Sequence, residues 1–209
     1  MSNEVVPSGG NLVKASNIAE LLITGNSLSD IQVDNGDAFI GVKNIIKIER
    51  ILSNPQNILL LIQQYENIDC ASEKFLAMKD ELDSYIKPRE ERDIIGLEQK
   101  LTDGGRANSV LAATELKDKF SKRLARYEFS SHMSALHLNL LTKIEEKFNS
   151  HIYPLIQSGH SIDVIDQLIS EVIIQPLAEE VAPADASLTA KHVRGMMYLL
   201  TGNCHLKWK

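Results

Sequence analysis

Six groupings in this 209-residue chain have the residue types for chemistry: two acidic, one histidine, one cysteine–histidine, one glycine-rich and one basic. Glu90, Glu91 and Asp93, and the pair Glu145–Glu146, have the carboxylates with which hydrolases hold Mg²⁺ on a rigid core. Both sets lie within charged faces interleaved with Lys and Arg, the pattern of a solvated helix side. His132 and His137 are five apart, whereas two ligands on one helical face need a spacing of four, and no Glu lies between them. Cys204 and His205 are adjacent, and neighbours on an extended segment point opposite ways, so they do not make a ligand pair. Asp103-Gly104-Gly105-Arg106 lacks the preceding strand and the Gly-Lys-Ser/Thr ending of a phosphate loop. No catalytic group, metal site or cofactor is expected. The basic set Lys119, Lys122, Arg123 and Arg126 shares one side of a helix and suits phosphate contact. Glu115, Asp118 and Glu128 surround it and no stacking aromatic accompanies it, so an interface or solvated face is favoured over DNA contact.

The most distinctive stretch is 190–208. Val193, Met196, Met197 and Leu200 recur at helical spacing, and Thr201-Gly202-Asn203 reads as the stop, with Gly202 free to turn left-handed. Cys204, Leu206 and Trp208 then alternate with His205, Lys207 and Lys209 as a short extended segment with one apolar face. Trp208 is the chain's single tryptophan. Burying such a ring is worth about 2–3 kcal/mol, so the segment is expected to be docked, either on its own domain or on a partner. Met196, Tyr198, Cys204, His205 and Trp208 are the candidate partner-binding residues, because methionine and aromatics make adaptable contact surfaces.

The elements that must position these residues are mostly helices. Hydrophobic residues form 44% of the chain, enough for a core, while aromatics are only 5% and Leu and Ile dominate. The formal charge of −6 argues against a nucleic-acid coat. Two cysteines exclude a disulfide scaffold and suit a reducing compartment. Met1–Gly10 lacks the pattern of a signal peptide, and apolar runs such as 58–62 are too short to span a bilayer, so a cytoplasmic protein is expected.

Ile31, Val33, Ala38 and Ile40 flank Asp34-Asn35-Gly36-Asp37, a strong hairpin signal, with a further strand candidate at 21–23. Helical periodicity then begins near Lys43, with expected helices at 43–52, 55–66, 72–86 and 88–101. Thr102–Gly105 is the clearest internal boundary. Two apolar stripes follow over 110–124 and 136–148, then a joint at Tyr153-Pro154 and Ser158-Gly159. A helix capped by Ser161 comes next, kinked or ended by Pro176, and a last one begins near Ser187. The expected fold class is mainly α, an antiparallel helical bundle with a small N-terminal β element. The divisions are 1–42, 43–105 and 106–209.

The segment Met197-Tyr-Leu-Leu-Thr-Gly-Asn-Cys-His-Leu-Lys-Trp208, preceded by Leu168-Ile-Ser-Glu-Val-Ile-Ile-Gln-Pro-Leu-Ala-Glu-Glu-Val181, resembles the C-terminal domain of bacterial ABC-three-component conflict systems. The resemblance covers about the last 100 residues and is most specific at 197–208. It implies an ABC-type ATPase, a small middle component and an effector-bearing protein acting together against phage or other invasive DNA, with this helical domain coupling the effector to its partners. Residues 1–105 carry no nuclease, protease or TIR pattern. The chain therefore resembles a non-enzymatic accessory or coupling subunit that docks an ATPase or effector partner, its N-terminal element serving assembly or sensing. The alternatives are a DNA-contacting subunit or small Mg²⁺-dependent nuclease of the same kind of system, and a homo-oligomeric scaffold.

Overall fold

The computed structural model describes residues 55–88 and 96–209, together with the backbone of two short strands, β1 (Ile31–Asp34) and β2 (Asp37–Ile40). The strands pair antiparallel, with Ile31 opposite Ile40 and Asp34 opposite Asp37. The remainder of the expected β element, the helix read at 43–52, and the carboxylates Glu90, Glu91 and Asp93 lie outside the described residues.

The protein is mainly helical. Within the unit Ile51–Lys209, the helices are α1 (Pro55–Tyr65), α2 (Glu73–Ile86), α3 (Gly96–Asp103), α4 (Val110–Arg126), α5 (Ser131–Lys147), α6 (Tyr153–Gln157), α7 (Ile162–Leu168), α8 (Gln175–Val181) and α9 (Ala190–Gly202). α5 is the axis of the packing. Leu136, Leu140, Leu141 and Ile144 are fully buried, and Met133 to His137 are covered without a break. A helix buried along much of its length must carry apolar residues round most of its surface, and the first part of α5 does so with Ser131, Ser134 and His137 as buried polar exceptions, while Thr142 and Glu146 are exposed nearer its end. α1 and α2 pack on it, as do α9 and the π-helical segments that follow α5 and α7.

Those two π-helical segments answer two prolines. α5 runs through Phe148–Ile152 into α6, which carries Pro154, and α7 runs through Ile169–Ile174 into α8, which carries Pro176. A proline inside a helix has no N–H to donate, and its ring collides with the carbonyl four residues back. A widened π turn relieves the collision without ending the helix. At Pro176 the carbonyl set free is that of Val172, and the Lys147 ammonium donates to it at 3.1 Å. Burial holds the Lys147 pKa below its ordinary value, opposed by the nearby Glu180 carboxylate. One helical turn away Lys143 pairs with Glu180 at 2.6 Å. Helical structure therefore continues through Pro176 and through Tyr153-Pro154 without a break.

α4 and α9 share the most extensive helix pairing, and it is close because of one residue. A Cβ on Gly195 would lie 2.5 Å from the Leu116 carbonyl oxygen and 2.9 Å from Phe120 Cβ. α3 packs on the end of α9, so the turn after α3, read from the sequence as a boundary, lies inside the unit.

Candidate functional site

The 203–208 segment is anchored by hydrogen bonds and ring contacts from several elements. Its anchors begin with how α9 stops. His205 N–H donates to Leu200 C=O at 2.9 Å and Cys204 N–H to Thr201 C=O at 3.3 Å. This is the paired closure in which one residue turns left-handed. Two other helix ends close in the same way with glycine, at Gly105 and Gly159. Here Cys204 takes the position, at φ +66°, and not Gly202, which is the last helical residue. A left-handed side-chain-bearing residue costs about 1–2 kcal/mol, and surrounding contacts must hold it there.

Those contacts converge from four elements. Lys100 on α3 donates to Thr201 C=O at 2.8 Å and to Leu206 C=O at 3.2 Å, bringing positive charge to the carbonyl end of α9. Asn203 Nδ2 donates to the last carbonyls of α2, those of Tyr85 at 3.1 Å and Ile86 at 2.6 Å. His205 stacks on the Tyr85 ring with centroids 5.1 Å apart, and its Nδ1 lies 3.7 Å from Glu145 Oε1. Burial raises the Tyr85 phenol pKa, and the Glu145 charge adds to that.

Trp208 is only 4% exposed. Its Nε1–H donates to Thr201 Oγ1 at 3.0 Å, and that hydroxyl donates on to Met197 C=O at 2.9 Å. The ring lies against Phe148 on one side and under the Arg106 guanidinium, 4.6 Å from its centroid, on another. Arg106 is itself fixed by Asp166 on α7, through Nε at 2.8 Å and Nη2 at 2.7 Å, and by Gly104 C=O. Gly104 leaves room for the segment: a Cβ there would stand 3.1 Å from Trp208 Cβ and 3.2 Å from its carbonyl oxygen. The Gly-Gly-Arg stretch that fails as a phosphate loop thus works as a helix stop, a gap and a clamp on the indole.

Of the five candidate partner-binding residues, Met196, Cys204, His205 and Trp208 are buried by the chain's own side chains, and Tyr198 is half-buried. His205 is covered along with the apolar positions, so the segment is a closed turn and coil rather than an alternating strand. Burial raises the Tyr198 phenol pKa, partly offset by Arg194. The basic set is divided. Lys119, Lys122 and Arg126 stand exposed on α4, whereas Arg123 turns inward to Asp185 and Ser187 and covers the Tyr127 ring.

Three functional-looking residues were not singled out by sequence reasoning as anchors: Arg106, Lys100 and Asn203. Their types are ordinary and their partners are 60 to 118 residues away. His137, whose spacing from His132 argues against a role as a metal ligand, is a core residue. It is buried edge-on to Phe120 at 5.5 Å, and desolvation together with Arg123 lowers its pKa to about 3. Among the described residues no group of three or more His, Cys, Asp or Glu side chains could hold a metal ion, and no helix is long and apolar enough to cross a membrane.

Residues 96–208 match the family model described as C-terminal domain 9 of the ABC-three component systems. No curated protein and no solved structure matches the chain. The match begins with the first residue of α3 and closes on Trp208, so it takes in every anchor described above except those on α2, the Tyr85 ring and the carbonyls of Tyr85 and Ile86.

Proposed function

Since the chain belongs to the family of C-terminal domain 9 of the ABC-three component systems, we propose that it is a non-enzymatic coupling subunit of a bacterial anti-phage defence complex. It acts in the cytoplasm and docks an ABC-type ATPase or an effector partner through the helical domain at 96–208. The match over that domain is the observation that carries the reading.

The arrangement of charged groups supports the non-enzymatic part. Arg106, Arg123, Lys143 and Lys147 each spend their cation on tying one element of the fold to another. What such a body offers is a stiff platform. Met196, Cys204, His205 and Trp208 serve docking by fixing the platform's shape, while Tyr198 and the exposed side chains Leu111 (75%) and Phe129 (79%) are placed to touch a partner. Exposed large apolar side chains are what hot spots are made from.

The test is co-expression of the full chain with the ATPase and the other components encoded beside its gene, followed by size-exclusion chromatography. Co-elution that is lost in Phe129→Asp or Leu111→Asp, with helicity unchanged, supports docking through this domain. Absence of co-elution for the unaltered chain sinks it. One observation favours a second reading, contact with DNA: Lys119, Lys122 and Arg126 remain exposed along α4. Salt-dependent duplex binding that disappears when all three become Ala would establish it. A stable oligomer of the chain alone by light scattering would point instead to a scaffold.

A further inference from the structure

The exposed side of α4 carries charges of both signs, and they come in order. Leu111, Glu115, Asp118, Lys122 and Arg126 follow one another at three- and four-residue steps, and Lys119 lies four past Glu115, so all six share one side of the helix. All six are exposed, and Phe129 is exposed in the turn that follows. The acidic side chains come first and the basic ones last, with an apolar side chain at each end. Among the described residues Glu115, Lys119, Lys122 and Arg126 take part in no ion pair, and Asp118, 55% exposed, meets its neighbour Lys117 at 3.6 Å.

We propose that this side of α4 pairs antiparallel with the same side of a second copy, about a two-fold axis at the middle of the helix. Read backwards, the face runs Phe129, Arg126, Lys122, Asp118, Glu115, Leu111. A reversed copy therefore sets Leu111 on Phe129, Glu115 on Arg126 and Asp118 on Lys122, and all three meetings centre on Phe120 or the peptide after it. Under a two-fold each meeting occurs twice. Lys119 is the exception, since it lies beside the axis and faces its own copy. Duplex DNA or a uniformly acidic surface is a poorer match, because Glu115 and Asp118 would meet like charge. The helix has 17 residues, which gives a seam about 25 Å long. Exposed ion pairs contribute little each, and one helix face on another stays below the about 1,200 Å² of stable complexes. The pair is therefore weak and exchanging, with a Kd on the order of 100 μM, unlike the lasting oligomer of a scaffold. Leu111 and Phe129 are also the side chains offered to a partner, so self-pairing closes them until the copies part. That consequence rests on the docking role proposed above; the pairing does not.

Sedimentation equilibrium of the full chain alone, from about 5 to about 500 μM, reads the pairing. A monomer–dimer equilibrium is expected, weakening severalfold between about 50 and about 500 mM salt as the ion pairs are screened. Glu115→Lys and Arg126→Glu, both at exposed positions, should each weaken it at least tenfold with helicity unchanged. An equimolar mixture of the two variants should pair again, because each supplies the charge that the other lacks. Lys119→Ala removes the like-charged meeting and should tighten the pair severalfold. A monomer at every concentration, a dimer indifferent to Glu115→Lys and Arg126→Glu, a mixture that stays monomeric, a looser pair in Lys119→Ala, or an oligomer that dilution does not part would each overturn the proposal. Docking is read from co-elution with the other components, so either reading can fail without the other.

Discussion

The α9 helix with its 203–208 segment and the α1–α2 pair both pack on α5, but they are held by different means. The first is fastened by side-chain hydrogen bonds and ring contacts from α3, the turn after α3 and the π-helical segment after α5. The second rests largely on apolar contact. Ile58 is the buried residue of α1, and Phe75 and Met78 of α2 meet Ala135 on α5. Its polar ties include Ser131 Oγ–H to Tyr65 C=O at 2.5 Å, Cys70 Sγ–H to Phe129 C=O at 3.0 Å, Lys79 to Glu128, and Asn203 from the other region. It also leaves Leu59, Leu60 and Leu76 in water. Apolar area gives stability without direction, whereas hydrogen bonds fix position and register. One region is therefore built for a fixed shape and the other for adherence.

The comparison can be broken or sharpened by a graded set of changes. Trp208→Ala should cost about 3–5 kcal/mol, because it empties a filled site and strands the Thr201 hydroxyl. Urea unfolding followed by far-UV circular dichroism measures it, and a loss under about 1 kcal/mol would contradict the fastening described. Gly195→Ala should cost about 1–3 kcal/mol, since the added methyl meets the backbone of Leu116, which cannot rotate away. The same unfolding experiment reads it, and α4 amides should lose exchange protection with it.

Acidification tests the ground between the two regions, where His137 lies under α2 and α4. Its folded pKa is held below the unfolded value, so the unfolded chain takes up the extra proton. The stability it contributes is complete above about pH 6.5 and is lost as the pH falls from there toward 3. Between pH 7 and pH 5 that is about 2 kcal/mol. His192, lowered by burial and by Arg123, acts in the same direction. Unfolding at the two pH values should show the loss, and His137→Phe should flatten it. Asn203→Ala should cost only about 1 kcal/mol, yet hydrogen exchange should show α2 opening more often while α9 keeps its protection. Leu60→Ser, at an exposed site on α1, should change stability by less than about 0.5 kcal/mol; a larger loss would mean that α1 is held by more than the contacts named here.

Much of the helical layout was legible because its signals are local. Ser72 accepts from Phe75 N–H and caps α2 where expected, and α1 covers 55–65 against an expected 55–66. α4 and α5 follow the two expected apolar stripes, with the break between them at Ser130. The errors also have a local origin. Pro154 looked like part of a joint and Pro176 like a kink or an end because a sequence does not show that a helix can widen around them. Gly202 looked like the left-handed residue because glycine is the favoured type there, whereas the tertiary contacts of Trp208, His205 and Asn203 place the closure two residues later.

From its residues alone, the chain determined that it would be mainly helical, that the tryptophan segment would be packed, and that 197–208 carries the family signature. Each of these depends on periodicity or residue type within a short stretch, and neighbours in sequence suffice to fix them. Only the tertiary structure decided what the tryptophan packs against, that Gly104-Gly105-Arg106 makes room for it and clamps it, and that the residues resembling a partner surface face inward. Those outcomes depend on groups up to about a hundred residues apart meeting within hydrogen-bonding distance, and no short-range pattern encodes such a meeting.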